Sequence, residues 1–191
     1  MQIRKRLSKP GFYVDVGANN PTKTSNTYIL HKYYGWRGIN IDPNQDLIKQ
    51  FSIARPLDTN LCCAISSKSG TASYHRFGDP AINTIVQEQA EFQTRHPSHE
   101  IQDIVQVETM PLSAVLSKYV PPGVEVDLLD VDVEGADLGV LESNDWVEHR
   151  PFLICVEDSK LRLDRVEESD IYRLLTSRRY RLCNYSILTA L

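Results

Sequence analysis

Cysteine is scarce in this chain. Its 191 residues include four, Cys62, Cys63, Cys155 and Cys183. They form no CxxC pair and no Cys/His spacing that could cage a metal. Adjacent cysteines rarely bond to each other, and all but Cys183 sit in apolar stretches. The pattern predicts buried, reduced thiols in a cytoplasmic type of compartment. Long apolar runs are also missing, since no stretch approaches the ~20 residues of a membrane helix. The first ten residues are basic but lack the apolar segment of a secretory leader. A basic surplus is missing too. Lys and Arg number 21 against 25 Asp and Glu, for a net charge of -4, which argues against broad binding to nucleic acid. What is present is ordinary globular composition, 41% hydrophobic and 24% charged, enough for one domain with a full core.

Along the chain, strand-like and helix-like patterns alternate. Residues 11–16, 37–42, 61–66, 126–133, 152–157 and 180–187 read as strands, with 71–77 and 105–110 as further ones. Residues 24–34, 45–53, 111–119, 136–143 and 169–179 have helical spacing. The alternation implies βαβ units and a mainly parallel sheet covered by helices on both faces. Ligands on such sheets sit at the carboxyl ends of the strands. Residues 75–104 break the pattern and read as an inserted loop or lid with a helical piece. Residues 1–10, with Arg4, Lys5, Arg6 and Lys9, read as a basic segment or the remnant of a linker from a longer multidomain protein. Residues 11–191 read as a single domain. A second basic run, Lys160 to Arg181, reads as the solvated face of a helix or as a guide for an acidic substrate.

The first strand runs into Asp15, then Gly17, Ala18 and Asn19. One glycine of three is too few for a dinucleotide fingerprint, and no GK[ST] follows to cradle phosphate. The loop instead suits a nucleoside with a charged amino-acid end, gripped by Asp15 and backbone N–H groups. Asp42 ends the second strand about 25 residues on, where a carboxylate can accept both hydroxyls of a ribose. Removing it should weaken ligand binding and leave the fold undisturbed.

The segments GFYVDVGAN, WRGINIDPN, LLDVDVEGADLGVLES and FLICVED, taken together, resemble the FkbM-type family of S-adenosylmethionine-dependent methyltransferases. The resemblance runs from Gly11 to Asp158, and DVEGAD at 132–137 is its most specific part. It implies a Rossmann-like class I methyltransferase fold. It further implies that Asp15, Gly17, Ala18 and Asn19 line the methionine end of the cofactor, that Asp42 holds the ribose, and that Ile65 and Ser66 border the adenine. Two departures stand out. Asn20-Pro21 replaces a glycine that the family often has, and the C-terminal end of the fold is expected to lack part of its final strand.

Asp130, Asp132 and Glu134 alternate along one strand and its exit, so extended geometry puts them on one side. Glu157 and Asp158 end the next strand, and the acids are expected to converge. Crowded carboxylates need an offset: a basic partner, a shared proton or a divalent cation. Hard oxygen donors suit Mg2+ or Mn2+. By analogy with metal-dependent sugar O-methyltransferases, Asp132, Glu157 and Asp158 would be the ligands and Glu134 the base, making Glu134 and Asp132 the catalytic candidates. A metal-free alternative has Glu134, or His75, His96 or His99, acting alone.

The resulting expectation is an O-methyltransferase acting on a hydroxyl of a sugar, glycan or glycosylated metabolite. Its partner would be a small-molecule or glycan acceptor rather than nucleic acid or membrane, and its oligomeric state is open. The alternatives are a methyltransferase for RNA or protein, and a catalytically inactive binding module.

Overall fold

The computed structural model describes residues 9–186 and 189–190. The basic residues Arg4, Lys5 and Arg6 lie outside them. The first half of the main sheet comes from β1 (Phe12–Val16), β2 (Arg37–Ile41) and β3 (Thr59–Leu61), connected by α1 (Tyr28–Tyr34) and α2 (Gln45–Ala54). The second half comes from β7 (Leu128–Val131) and β8 (Leu153–Glu157), with α5 (Asp137–Glu142) between them and α6 (Asp170–Ser177) after them. These five strands are parallel, in the order β3-β2-β1-β7-β8. At the far edge, β10 (Thr189–Ala190) pairs antiparallel with β8, and β9 (Tyr185–Ser186) antiparallel with β10. The chain order reverses between β1 and β7, so the ligand crevice is expected at their carboxyl ends.

Period-two alternation assigns the two faces of the sheet. Val14, Val16, Ile39, Ile41, Leu129, Val131, Ile154 and Val156 turn to one side. There they form the main core with residues of α5, α6 and α4 (Leu112–Tyr119). Tyr13, Leu128, Leu153 and Cys155 turn to the other, under Leu30 of α1 and Trp36. That second face becomes polar toward the strand ends, where Asp15, Asn40 and Asp130 are buried.

The stretch expected as one strand at 61–66 is divided. Thr59–Leu61 stays in the main sheet, whereas β4 (Ala64–Ile65) pairs with β6 (Ile101–Met110), which in turn pairs antiparallel with β5 (Gly70–Phe77). The break falls at Cys62 and Cys63, which face opposite ways: Cys63 is buried and Cys62 exposed. Burial of all four thiols is therefore corrected, since Cys183 is exposed as well and Cys155 half-buried. Between β5 and β6 lie a 3-10 turn at Pro80–Ile82 and α3 (Gln87–Gln93). Among the described residues, no helix is long and apolar enough to cross a membrane.

Candidate functional site at the carboxyl ends of β1, β2 and β7

The chain leaves β1 through Gly17, whose φ is +83°. A Cβ here would stand 1.8 Å from the carbonyl oxygen of Asp132. Only glycine lets the exits of β1 and β7 approach this closely. The Gly17 and Ala18 N–H groups donate to the Ile41 carbonyl at 2.9 and 3.1 Å. Asn19 adopts φ +48°, a conformation asparagine tolerates. Its N–H donates to Asp42 Oδ2 at 3.0 Å, while Asn44 N–H donates to Asp42 Oδ1 at 2.7 Å. Asp42 thus ties the two loops together. Burial lifts its pKa to about 6, against the lowering effect of those two N–H groups. The side chain of Asn20 accepts from the N–H groups of Thr22 and Lys23, so an Asx turn shapes the loop where the family's glycine is absent.

A cleft of about 220 Å³ opens between these loops, lined by Asp15, Gly17, Ala18, Asn19, Asp42 and Ile65 on one part of its wall. Asp132 and Glu134 line another part. Ser66 is not among the lining residues; its N–H donates to the Met110 carbonyl. Tyr74 of β5, with Asn83 and Thr84 of the insertion, completes the wall. Sequence reasoning did not single these out, because their approach depends on how β5 pairs with the distant β6.

Asp15 and Asp130 are register partners on β1 and β7. Both are buried. Thr27 Oγ1 donates to Asp15 Oδ2 at 2.6 Å, and Asn26 Nδ2 donates to both Asp130 oxygens at 3.0 and 3.3 Å. Burial is the main cause that raises both carboxyl pKa values, and repulsion from Asp15 adds to it at Asp130. Asp130 therefore belongs with Asp15 rather than with the outer acids.

The outer acids are Asp132, Glu134 and Glu157, each offering an oxygen within 4.8 Å of the others'. Asp132 is open to water on one side and crowded on the rest, which raises its pKa. Burial first, and then the neighbouring carboxylates, pushes Glu134 and Glu157 to about 7 each. Glu134 stands at φ +52°. Thr84 Oγ1 donates to its carbonyl at 2.9 Å and Gln89 Nε2 to its Oε2 at 3.3 Å. Asp137 holds the same turn by accepting from the N–H groups of Val133 and Gly135.

Asp158 is not brought to this group. It lies one residue past the end of β8. Its carboxylate accepts from Ser169 Oγ and from the Lys160 N–H, at the start of α6.

A family model for the methyltransferase FkbM domain matches residues 15–182, a span that takes in every residue of this cleft. The chain belongs to the FkbM methyltransferase family. No curated protein and no solved structure matches it.

In this FkbM domain a roomier cavity, about 730 Å³, lies elsewhere, bordered by Val124, Arg150, Phe152, Tyr172, Tyr180 and Leu182 among others. Glu125, Glu148 and Asp158 line it, but among the described residues the close group of acids is Asp132, Glu134 and Glu157, and the cleft at the strand ends is the place where glycine, buried acids and perturbed titrations coincide. The three candidate histidines do not line that cleft. His75 is buried with Nδ1 3.3 Å from the Thr84 carbonyl, and His96 and His99 pack ring to ring.

Proposed function

We propose that this FkbM methyltransferase moves a methyl group from S-adenosylmethionine to a hydroxyl of a sugar, glycan or glycosylated metabolite. The observation that carries the reading is the position of Glu134: a carboxylate with a pKa of about 7, lining the same cleft as Asp15, Asn19 and Asp42. A general base works best when its pKa lies near the operating pH. In this reading Asp15 and Asp130 face the cationic amino-acid end of the cofactor. Asp42 accepts from the ribose hydroxyls with the lone pairs its backbone donors leave free, and Ile65 borders the adenine. The cofactor supplies an electrophilic methyl on a sulfonium. Glu134 would accept the proton that the acceptor hydroxyl gives up when it takes the methyl. In-line placement of oxygen, carbon and sulfur is what the cleft must enforce.

The outer acids also fit a divalent cation. Three hard oxygen donors come within 4.8 Å of one another. Among the described residues, no ion pair to a basic group offsets them. Asp132 and Glu157 would hold Mg2+ or Mn2+, with Glu134 beside it; Asp158, tied to Ser169, would not take part. The ion would supply charge neutralisation and Lewis acidity at the acceptor oxygen.

The test is calorimetric titration of S-adenosylhomocysteine into the protein, with magnesium and then with EDTA, followed by a panel of sugar, RNA and protein acceptors. Micromolar binding and transfer to a saccharide support the reading. Failure to bind under either condition overturns it and favours an inactive module.

A further inference from the structure

We infer that Arg55 is a positioning residue for the cofactor, holding the segment from Pro21 to Thr27 in the form that binds it. The inference rests on the S-adenosylmethionine reading above. Arg55 follows α2 and is completely buried. Its guanidinium donates to the Pro21 carbonyl (2.6 and 3.1 Å), Ser25 Oγ (2.8 Å), Thr27 Oγ1 (2.8 Å), Tyr13 Oη (3.0 Å) and Asn40 Oδ1 (3.2 Å). The rings of Phe51 and Tyr28 flank it at 4.9 and 5.8 Å.

Three of these acceptors belong to the one loop that leads from the β1 exit into α1. That loop delivers Thr27 to Asp15 and Asn26 to Asp130. Arg55, Thr27 Oγ1 and Asp15 form a continuous chain, from a side chain outside the cleft to an acid that lines it. Ser25 and Asn26 line the cleft themselves. The loop's other ties include the Asx turn at Asn20 and the bonds of Asn26 and Thr27 to the two acids. Thr24 stands at φ +53°, and Thr22, Lys23 and Thr24 are exposed.

Satisfying buried acceptors is one use of such a residue: its hydrogen-bond acceptors are neutral groups that would lose their donor without it. A planar fork that fixes several loop atoms at once has a clear use where a ligand needs a preformed wall, because order present before binding is not lost on binding. Lysine cannot reproduce it, having a point charge and no fork.

The experiment compares wild type, Arg55→Lys and Thr27→Val by calorimetry with S-adenosylhomocysteine, well below the unfolding temperature of each. Amide hydrogen exchange of the unliganded proteins is read alongside. Arg55→Lys should weaken binding at least tenfold and speed exchange at residues 20–27 at least tenfold, with β1 and β7 unchanged. Saturating ligand should restore the protection. Thr27→Val should weaken binding at least threefold, and it carries the test if Arg55→Lys fails to fold. The double variant should be weaker than Arg55→Lys by less than the Thr27→Val factor, as expected of residues acting in one chain. A folded Arg55→Lys protein that binds within threefold of wild type overturns the inference, as does weakened binding with unchanged loop exchange. Absence of binding by the wild type overturns the cofactor reading itself, and the inference with it.

Discussion

Replacing Asp42 by alanine removes the acceptor of two backbone N–H groups, those of Asn19 and Asn44. Each buried donor left without a partner costs about 1–3 kcal/mol, so the bare structural loss is roughly 4 kcal/mol. Wild type carries an opposing penalty. Its folded-state pKa of about 6 exceeds the ordinary 3.8, so the folded protein holds this proton more tightly than the unfolded chain. Stability is therefore full below the ordinary value and falls as pH rises through the folded one. The penalty amounts to about 2 kcal/mol at pH 5 and about 3 kcal/mol at pH 8. Alanine abolishes it. The gap between wild type and variant should then shrink by about 1 kcal/mol from pH 5 to pH 8.

For a domain of this size that is a narrowing of about 2–4 °C in Tm, read by differential scanning calorimetry of the unliganded proteins at the two pH values. Groups remote from Asp42 cancel between the two proteins, and Asp15, whose repulsion with Asp42 the variant relieves, shifts the gap in the same direction. A gap that is constant or widens with pH refutes the reasoning. The expectation that alanine leaves the fold undisturbed is revised by the same two hydrogen bonds. Ligand affinity is a separate readout. Loss of charge-assisted bonds to two ribose hydroxyls, at about 1.5–3 kcal/mol each before compensation by water, should weaken S-adenosylhomocysteine binding roughly 10–100-fold. Unchanged affinity in the folded variant would remove Asp42 from the ribose site.

Gly17→Ala places a methyl group 1.8 Å from the Asp132 carbonyl oxygen at φ +83°, and should cost far more than the ~1–2 kcal/mol of left-handed strain alone. Gly35→Ala, at φ +70° with open space around it, should cost only that strain; equal Tm losses for the two would deny the close approach. Glu134→Gln keeps the shape of the side chain and should leave cofactor affinity within about twofold while cutting turnover about 10²–10⁴-fold. Full turnover would end its role as base. Magnesium or manganese titrated into the protein should give heat that Glu157→Gln abolishes and Asp158→Asn leaves intact, since only Glu157 joins the outer acids; the opposite ranking would return Asp158 to the metal site.

The strand-and-helix alternation, and with it the parallel sheet, was legible because β1, β2 and β7 are buried along nearly their whole length on both faces and so read as short apolar runs between helical segments. The Gly17 turn and the acid at Asp42 were legible for the same local reason: each ends a strand. The divided strand at Cys62 was not, since its second half pairs with Thr109 and Met110, more than 40 residues away. No pattern within 61–66 encodes that choice.

The acids show how far periodicity reaches. Asp130, Asp132 and Glu134 share a spacing of two, yet they divide into two groups. Cross-strand register puts Asp130 beside Asp15 and Cys155, inside the sheet, while β7 ends at Val131 and releases the other two. Glu134 then bends away at φ +52° and is held by Thr84 and Gln89, so its place depends on the insertion and not on the strand. Glu157 joins that group because Leu153, Cys155 and Glu157 share a face; Asp158 lies one residue past the end of β8, where Ser169 Oγ and the Lys160 N–H hold it at the start of α6. Arg55 is the contrary case. No motif in the sequence singles Arg55 out, and only the convergence of five acceptors from β1, β2 and the loop at 21–27 marks it as interior. Residues whose role follows from their own strand or turn are readable one element at a time; residues whose role is to join elements become visible only when those elements meet.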